Sequence, residues 1–356
     1  MKHIIFSDTH SPTCAQNIYD YFDEVLKKHQ DVDCIVMNGD LLGTFSMTGS
    51  TLHKNKGMTK EQLIEYFKLG APIFYEEISD LSLDNLDEEL IIRYVAERYS
   101  WCVKFLKKCS EKKKTIFNLG NHESPLHWLV LTELEFFIGD HPAIKKVSQT
   151  DLHEVFELFE KRLHELEKSN DFHYIRNEPL LLGSTLILGI PGESHNAIGT
   201  DQGALTQEEK TKQLIKKCSS LIKNASEIII YNHTQGNYNS ENGLYEPLSP
   251  ALKDFMQNLP GHITMKIFVQ SHNHWSYTHF HYHSGFYFIL NNAGLNGSIF
   301  NLIDFNFMTI KCYDIDSKEK RIVPVKLLKE FKPIQNPKEH ISRYYDDVEL
   351  ILNRKK

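Results

Sequence analysis

The sequence lacks any apolar run near the roughly 18 residues that a membrane-spanning helix requires. This absence disfavours an integral membrane protein. Met1 and Lys2 lead directly into the strand-like run HIIFS, which leaves no room for a signal peptide. From these two features we expect a cytoplasmic protein that has no membrane partner.

Paired cysteine motifs and an excess of basic charge are also missing. None of the 6 cysteines forms a CxxC pair, which disfavours a disulfide framework or a zinc knuckle, so we expect reduced thiols in the core. The formal net charge of −7 and the pI near 6.3 disfavour a protein that coats nucleic acid or an anionic membrane. A local basic groove remains compatible with this composition.

What the sequence does contain is an alternation of strand-like and helix-like segments over 356 residues, without internal repeats. This alternation predicts an α/β layered fold. The strand-like runs read HIIFS, CIVMN, TIFNL, STLILGI, EIIIYN, MKIFVQ, FYFILNN and FMTIKCYD.

Helical periodicity occupies the intervals between several of these runs. It covers the stretch around Ile18 to Leu26, a long helix from Asp87, a stretch over about 125–168 and a helix around 207–223. Residues 44–60 are rich in Thr, Ser and Gly and are predicted to form a loop that could cover a site as a lid. The charged residues at the C-terminus are expected to wrap the surface or contact a partner.

Side chains suited to metal binding follow five of the strand-like runs. Carboxyl ends of strands in open α/β sheets form the usual ligand crevice, so these five groups are expected to converge. Taken singly, each is an ordinary polar turn or strand end, whereas together they predict one site. In chain order the groups are Asp8 and His10; Gly39 and Asp40; Gly120, Asn121, His122 and Glu123; His233; and His272 and His274.

These motifs resemble, in order and position, the signature of the calcineurin-like metallophosphoesterases: DxH, GD, GNHE, a lone histidine and HxH. The resemblance covers about residues 3–295. It implies an α/β fold in the form of a four-layer αββα sandwich, with two central mixed β-sheets flanked by helices. We expect one domain over 1–315 with helical insertions at about 44–112 and 125–170, and a C-terminal extension over 316–356 packed on the domain or a partner.

The resemblance also implies two divalent metal ions. It assigns Asp40 as the bridging ligand, Asp8, His10 and His274 to the first metal, and Asn121, His233 and His272 to the second. Such mixed imidazole and oxygen ligands suit Mn²⁺, Fe²⁺ or Zn²⁺ better than Ca²⁺, and we favour Mn²⁺. The implied mechanism is attack on phosphorus by a hydroxide that bridges both metals, with His122 as the general acid or cationic stabiliser.

The chain departs from the family pattern at several places, two of which concern the motifs above. It reads GDLLGTF where the protein serine/threonine phosphatases of this family read GDxVDRG, so the aspartate and arginine of that motif are absent and such an activity is disfavoured. Ser271 stands where the HxH signature usually has a preceding glycine. Separately, the segment GIPGESHNA, which offers Glu193, His195 and Asn196, either lines the substrate pocket or forms only a polar turn.

Three functions follow from the resemblance. The first is hydrolysis of a phosphomonoester or phosphodiester in a small, nucleotide-like or otherwise compact substrate, and this suits the acidic chain best. A DNA or RNA nuclease is the alternative, so a nucleic-acid partner is possible but not favoured. A scaffold without catalysis is disfavoured because all candidate ligands are present. The sequence does not define an oligomeric state.

The stretch VQSHNHWSYTHFHYH holds five of the 19 histidines, and these five fall into two sets with different predicted roles. His272 and His274 follow an apolar strand, as the other candidate ligands do. The remaining three, His279, His281 and His283, alternate with aromatic residues, a pattern typical of one face of a half-buried strand. We therefore assign the pair to the site and the trio to a strand.

Overall fold

A computed structural model describes most of the α/β framework. The described residues are 1–9, 16–42, 88–123, 142–169, 171–192, 201–233, 237–239, 244–246, 250–273, 279–283, 285–292, 299–316, 321–325 and 328–329.

Six α-helices lie in this part of the chain: α1 (Gln16–Lys28), α2 (Glu88–Ser110), α3 (Pro142–Lys146), α4 (Gln149–Ser169), α5 (Asp201–Cys218) and α6 (Pro250–Gln257). The strands are β1 (Lys2–Phe6), β2 (Cys34–Asn38), β3 (Lys114–Asn118), β4 (Phe172–Tyr174), β5 (Pro179–Leu182), β6 (Thr185–Ile190), β7 (Glu227–Asn232), β8 (Asn237–Asn239), β9 (Leu244–Glu246), β10 (Met265–Asn273), β11 (His279–His283), β12 (Phe286–Asn292), β13 (Ile299–Asp304), β14 (Thr309–Asp316), β15 (Arg321–Val325) and β16 (Leu328–Lys329).

Two seven-stranded mixed sheets organise these strands. The first has the order β15-β14-β13-β1-β2-β3-β4, with β1 to β4 parallel and β13 antiparallel to β1. The second has the order β16-β11-β12-β10-β7-β6-β5, with β6, β7, β10 and β12 parallel. Strands β8 and β9 form a separate two-stranded ribbon.

Three apolar clusters show how the layers stack. Ile5, Val36 and Tyr231 belong to a cluster to which both sheets contribute, which places it between them. Alternate residues of β1, such as Ile4 and Phe6, instead join a second cluster with α1, α2 and α4. A third cluster combines the second sheet with α5 and α6. The period-2 alternation of strands thus gives each sheet two apolar faces, and the predicted αββα sandwich is confirmed.

The eight strand-like runs all correspond to strands, and β2, β7 and β12 have the predicted limits. His279, His281 and His283 lie in β11, as their alternation predicts. The sequence patterns do not predict strands β4, β5, β8, β9, β13, β15 and β16. All seven have at most six residues, so their hydrogen-bonded partner strands define them.

The chain beyond β14 reaches both sheets. β15 pairs with β14 at the edge of the first sheet, and β16 pairs with β11 at the edge of the second. Cys34, Cys102, Cys109, Cys218 and Cys312 are buried thiols, as the sequence predicts. None of the helices in the described ranges combines the length and apolarity that crossing a bilayer requires.

Candidate metal centre

Strands from both sheets bring candidate ligands to one end of the sandwich. Asp8, Asp40 and Asn121 follow β1, β2 and β3 of the first sheet, and His233 follows β7 of the second. Ligand atoms of Asp8, Asp40 and His233 all lie within 4.8 Å of one another. The clustering predicted from strand ends is thus present for these four residues, which come from both sheets.

The imidazole of His233 lies at the centre of this group. Its Nε2 is 3.1 Å from Asn121 Oδ1, 3.1 Å from Asp40 Oδ2 and 4.0 Å from Asp8 Oδ1. Its Nδ1 lies 2.8 Å from the carbonyl oxygen of Asn38, to which a protonated Nδ1 donates. This bond orients the ring and directs Nε2 toward the oxygen ligands, as second-shell bonds do at metal sites.

The electrostatic potential at this position is negative. Burial lowers the pKa of His233, but the charges of Asp40 and Asp8 and the bond to Asn38 outweigh burial and raise it to about 10. Asp8 and Asp40 are themselves only 0% and 1% exposed. A position that attracts a proton this strongly also attracts a divalent cation, which competes with that proton.

Both aspartates have an unusual backbone conformation. Asp8 and Asp40 have φ values of 49° and 51°, in the left-handed region that aspartate tolerates better than most residues. Asp8 N–H also donates to the carbonyl oxygen of Gly39 at 3.0 Å, which links the two turns. Such conformations cost free energy and persist only where surrounding contacts hold them in place. They are concentrated at functional sites.

Gly39 allows the turn after β2 to approach the ring of His233. Its φ of 82° favours glycine, and a Cβ there would lie 2.3 Å from His233 Nδ1 and 2.7 Å from Gly120 Cα. The GD motif therefore needs glycine at this position for two reasons: the positive φ, and the lack of room for a Cβ beside His233.

Glu123 holds the turns after β2 and β3 together. Its Oε2 accepts the backbone N–H groups of Asp40 at 2.9 Å and Gly120 at 2.7 Å, and its Oε1 accepts that of Leu42 at 2.7 Å. Burial and then the charge of Asp40 raise the pKa of Glu123 to about 7, while the N–H donors oppose that rise. Tyr99 donates its hydroxyl to the Glu123 carbonyl oxygen at 3.0 Å, so α2 supports the same turn.

His122 lies beside the bridging candidate. Its backbone N–H donates to Asp40 Oδ1 at 2.9 Å, and its Nε2 is 3.6 Å from Asp40 Oδ2. The side chains of His122 and Asp40 are 6% and 1% exposed, so the contact between them is buried.

Of the eight residues predicted for the site, the structure brings together Asp8, Asp40, Asn121, His122 and His233. The backbone of His272 lies near the end of β10, in the parallel set that also contains β7, and its side chain lies outside the described part. His10 and His274 fall outside the described residues.

Sequence reasoning missed the residues that support these ligands. The GNHE motif by itself assigns no role to Glu123, and in the sequence Asn38 and Asn118 stand only at or near the ends of strand-like runs. The sequence does contain one indication of their role. An asparagine near the end of a buried strand needs hydrogen-bond partners for its side-chain amide. Which partners they find depends on the second sheet.

Comparison with known proteins identifies one family. The model of the calcineurin-like phosphoesterases matches residues 1–276, out of 356 in the chain. No curated protein matches significantly. Among solved structures, the chain is similar to one titled "GAP50 the anchor in the inner membrane complex of Plasmodium", with a TM-score of 0.38 and 10% identity over 97% of this chain and 94% of that chain.

Proposed function

Because the chain belongs to the calcineurin-like phosphoesterase family, we propose that it is a metal-dependent hydrolase of phosphoesters. The observation that carries this proposal is the convergence of Asp8, Asp40 and His233 at one end of the sandwich. These residues come from three different strands on two sheets, so their meeting reflects the whole fold rather than one local turn.

The residues present fit a centre of two divalent cations. Asp40 offers a buried carboxylate for a bridge, Asp8 a second carboxylate, Asn121 an amide oxygen and His233 an imidazole nitrogen. His10, His272 and His274 would complete the set by the family resemblance. When bound, the cations would lower the pKa of a water molecule and neutralise charge on the phosphoryl group.

The protein's own groups orient this centre and handle protons. Asn38 keeps His233 in the tautomer that presents Nε2, and Glu123 holds the backbone of Asp40 in its left-handed conformation. We assign to His122 the delivery of a proton, or of positive charge, to the leaving-group oxygen, because its Nε2 lies 3.6 Å from Asp40 Oδ2 at the edge of the cluster and the family resemblance gives it no metal.

We further propose a compact, nucleotide-like phosphoester as substrate and Mn²⁺ as the metal. A net charge of −7 does not favour a polyanionic substrate, which supports a small molecule over DNA or RNA. Mixed carboxylate, amide and imidazole ligands support a borderline divalent ion, with Fe²⁺ and Zn²⁺ as alternatives to Mn²⁺.

The test is a substrate screen of the Mn²⁺-loaded protein with Asp40→Asn as the matched variant. The panel contains bis-p-nitrophenyl phosphate, p-nitrophenyl phosphate, cyclic nucleotides and short single-stranded DNA. We expect hydrolysis of a small ester and a loss of at least about 100-fold in Asp40→Asn, since the bridging charge is removed. Equal rates in the two proteins would overturn the proposal, and cleavage of DNA alone would identify a nuclease.

Metal analysis separates an enzyme from a scaffold. After reconstitution and removal of excess Mn²⁺, we expect about two metals per chain, the number that a dinuclear centre holds. A content below one metal per chain, with no hydrolysis of any substrate, would identify a binding module on the same fold.

A further inference from the structure

The candidate ligands come from two different sheets, so the sheets must be held in alignment at this end. Asn38 is the last residue of β2, and Asn118 is the last residue of its parallel neighbour β3. Both are 0% exposed. The apolar residues two positions earlier in these strands, Val36 and Ile116, lie in the cluster between the sheets, so both asparagines face the second sheet.

Asn38 reaches two strands of that sheet. Its Nδ2 is 2.7 Å from Ser271 Oγ in β10 and 3.3 Å from the carbonyl oxygen of Asn232 in β7. Its own backbone carbonyl accepts from the His233 ring. Asn38, which directly precedes the GD motif, therefore contacts the two strands of the second sheet that position candidate ligands: β7, which is followed by His233, and β10, which contains His272.

Asn118 extends the same set of bonds. Its Nδ2 is 3.0 Å from Asn38 Oδ1 and 3.0 Å from the carbonyl oxygen of Ile190 at the end of β6. Asn118 thereby orients the amide of Asn38, because the oxygen of that amide is engaged and its nitrogen must point toward β7 and β10.

Ser271 is the member that distinguishes this chain from the family pattern, in which the HxH signature is usually preceded by glycine. It lies within β10 in extended backbone and is 0% exposed. Glycine there would offer no side-chain acceptor to Asn38. The serine thus adds a cross-sheet hydrogen bond one residue before His272.

We propose that Asn38, Asn118 and Ser271 form a positioning network that aligns the end of β10 with Asp40 and His233 and thereby sets the affinity of the metal centre. This inference rests on the proposed function, because it assigns the network to the same metal site. A bond buried between the sheets resists their relative displacement, since breaking it leaves a desolvated amide without its acceptor.

The experiment measures Co²⁺ binding by calorimetry and by the intensity of its ligand-field absorption, which reports coordination geometry. For Ser271→Ala we expect affinity to fall at least about tenfold, as loss of one buried hydrogen bond permits, together with a changed spectrum. Ser271→Thr keeps the hydroxyl and should restore both. Thr115→Val is the control, because it removes another buried strand hydroxyl, bonded to the Lys113 carbonyl at the opposite end of β3.

Unfolding of the metal-free proteins is followed in parallel by circular dichroism. We expect Thr115→Val to lower stability while its Co²⁺ affinity stays within about twofold of wild type, since its bond is remote from the site. If Ser271→Ala does not fold, Ser271→Gly provides the same test with the residue that the family usually has.

The outcomes separate the two proposals. Wild-type protein that binds no Co²⁺ would contradict the proposed function itself. Wild-type protein that binds Co²⁺, with Ser271→Ala and Ser271→Gly matching its affinity and spectrum, would overturn the positioning network alone.

Discussion

Asp40 is the residue at which the contacts of the site converge. Its carboxylate accepts from His122 N–H and lies against His233, while its own N–H donates to Glu123. Neighbours therefore fix both the backbone and the carboxylate of the residue that we propose as the bridging ligand. Two of those neighbours give predictions at the scale of single residues.

His122→Ala should lower turnover by about 100-fold or more, the contribution typical of a general acid. Metal content should stay near that of wild type, because Asp8, Asp40, Asn121 and His233 are unchanged. The measurements are steady-state kinetics on the substrate found by the screen and metal analysis of the same samples. Parallel loss of metal and activity would show that His122 is a ligand instead.

Glu123→Gln should lower the free energy of unfolding by about 1–3 kcal/mol, because its N–H₂ group would face backbone donors that now bond a carboxylate oxygen. Denaturant unfolding of the metal-free protein measures this. Glu167→Gln is the matched control: its carboxylate also accepts a backbone N–H, from Tyr174 at 2.7 Å, but its side chain is 30% exposed. Water can replace that bond, so an equal loss in both variants would contradict the assigned role of Glu123.

At the scale of elements, the turns after β1 and β2 have the same design. Each carries an aspartate in the left-handed region two residues beyond the strand, and a backbone hydrogen bond from Asp8 to Gly39 joins them. Parallel pairing of β1 and β2 places these turns side by side. The pair of turns, rather than either strand, positions the two carboxylates.

Gly39→Ala should lower the free energy of unfolding by about 2–5 kcal/mol and abolish metal binding, since it combines left-handed strain with overlap on His233. Gly183→Ala is the control: its φ of 61° imposes the same strain, but no atom lies within 4 Å of its added Cβ. That variant should lose only about 1–2 kcal/mol and bind metal normally. Comparable losses in stability and metal binding would show that the approach of Gly39 to His233 is unimportant.

At the scale of the whole molecule, the sandwich contains a polar contact deep between its sheets. His3 Nδ1 of β1 and the Tyr231 hydroxyl of β7 lie 2.6 Å apart, and both residues are 0% exposed. Burial, and then the positive charge of the N-terminus, lower the pKa of His3 to about 3. The folded protein therefore keeps this histidine neutral at every pH near neutrality.

This neutrality predicts a loss of stability in mild acid. Below about pH 6.5 the unfolded chain protonates His3 whereas the folded chain does not until about pH 3, so stability falls as the pH drops through that window. Between pH 7 and pH 5 the contribution of His3 should decrease by about 2 kcal/mol. Denaturant unfolding at both pH values measures the change.

His3→Gln provides the comparison, because glutamine retains a polar group but does not titrate. Its free energy of unfolding should fall by about 2 kcal/mol less than that of wild type over the same interval. Parallel losses in the two proteins would show that His3 is not kept neutral by the fold.

Much of the molecule could be predicted from local pattern. Runs such as CIVMN and EIIIYN are buried on both faces and bounded by polar residues, so they predict strands of a covered sheet. The polar residues that follow them predict a site, because parallel strands end at one edge. Short strands such as β4 and β16 could not be predicted, since their few residues depend on partners in the sheets.

The sequence by itself determined the layered α/β class, the family and the identity of the candidate ligands, because these depend on residue type and spacing along the chain. Only the tertiary structure decided how the ligands are supported. Glu123 lies 83 positions from Asp40 in the chain, and Ser271 lies 233 positions from Asn38. The first bond forms only after β2 and β3 have paired, and the second only after the two sheets have packed face to face. No local pattern contains either arrangement.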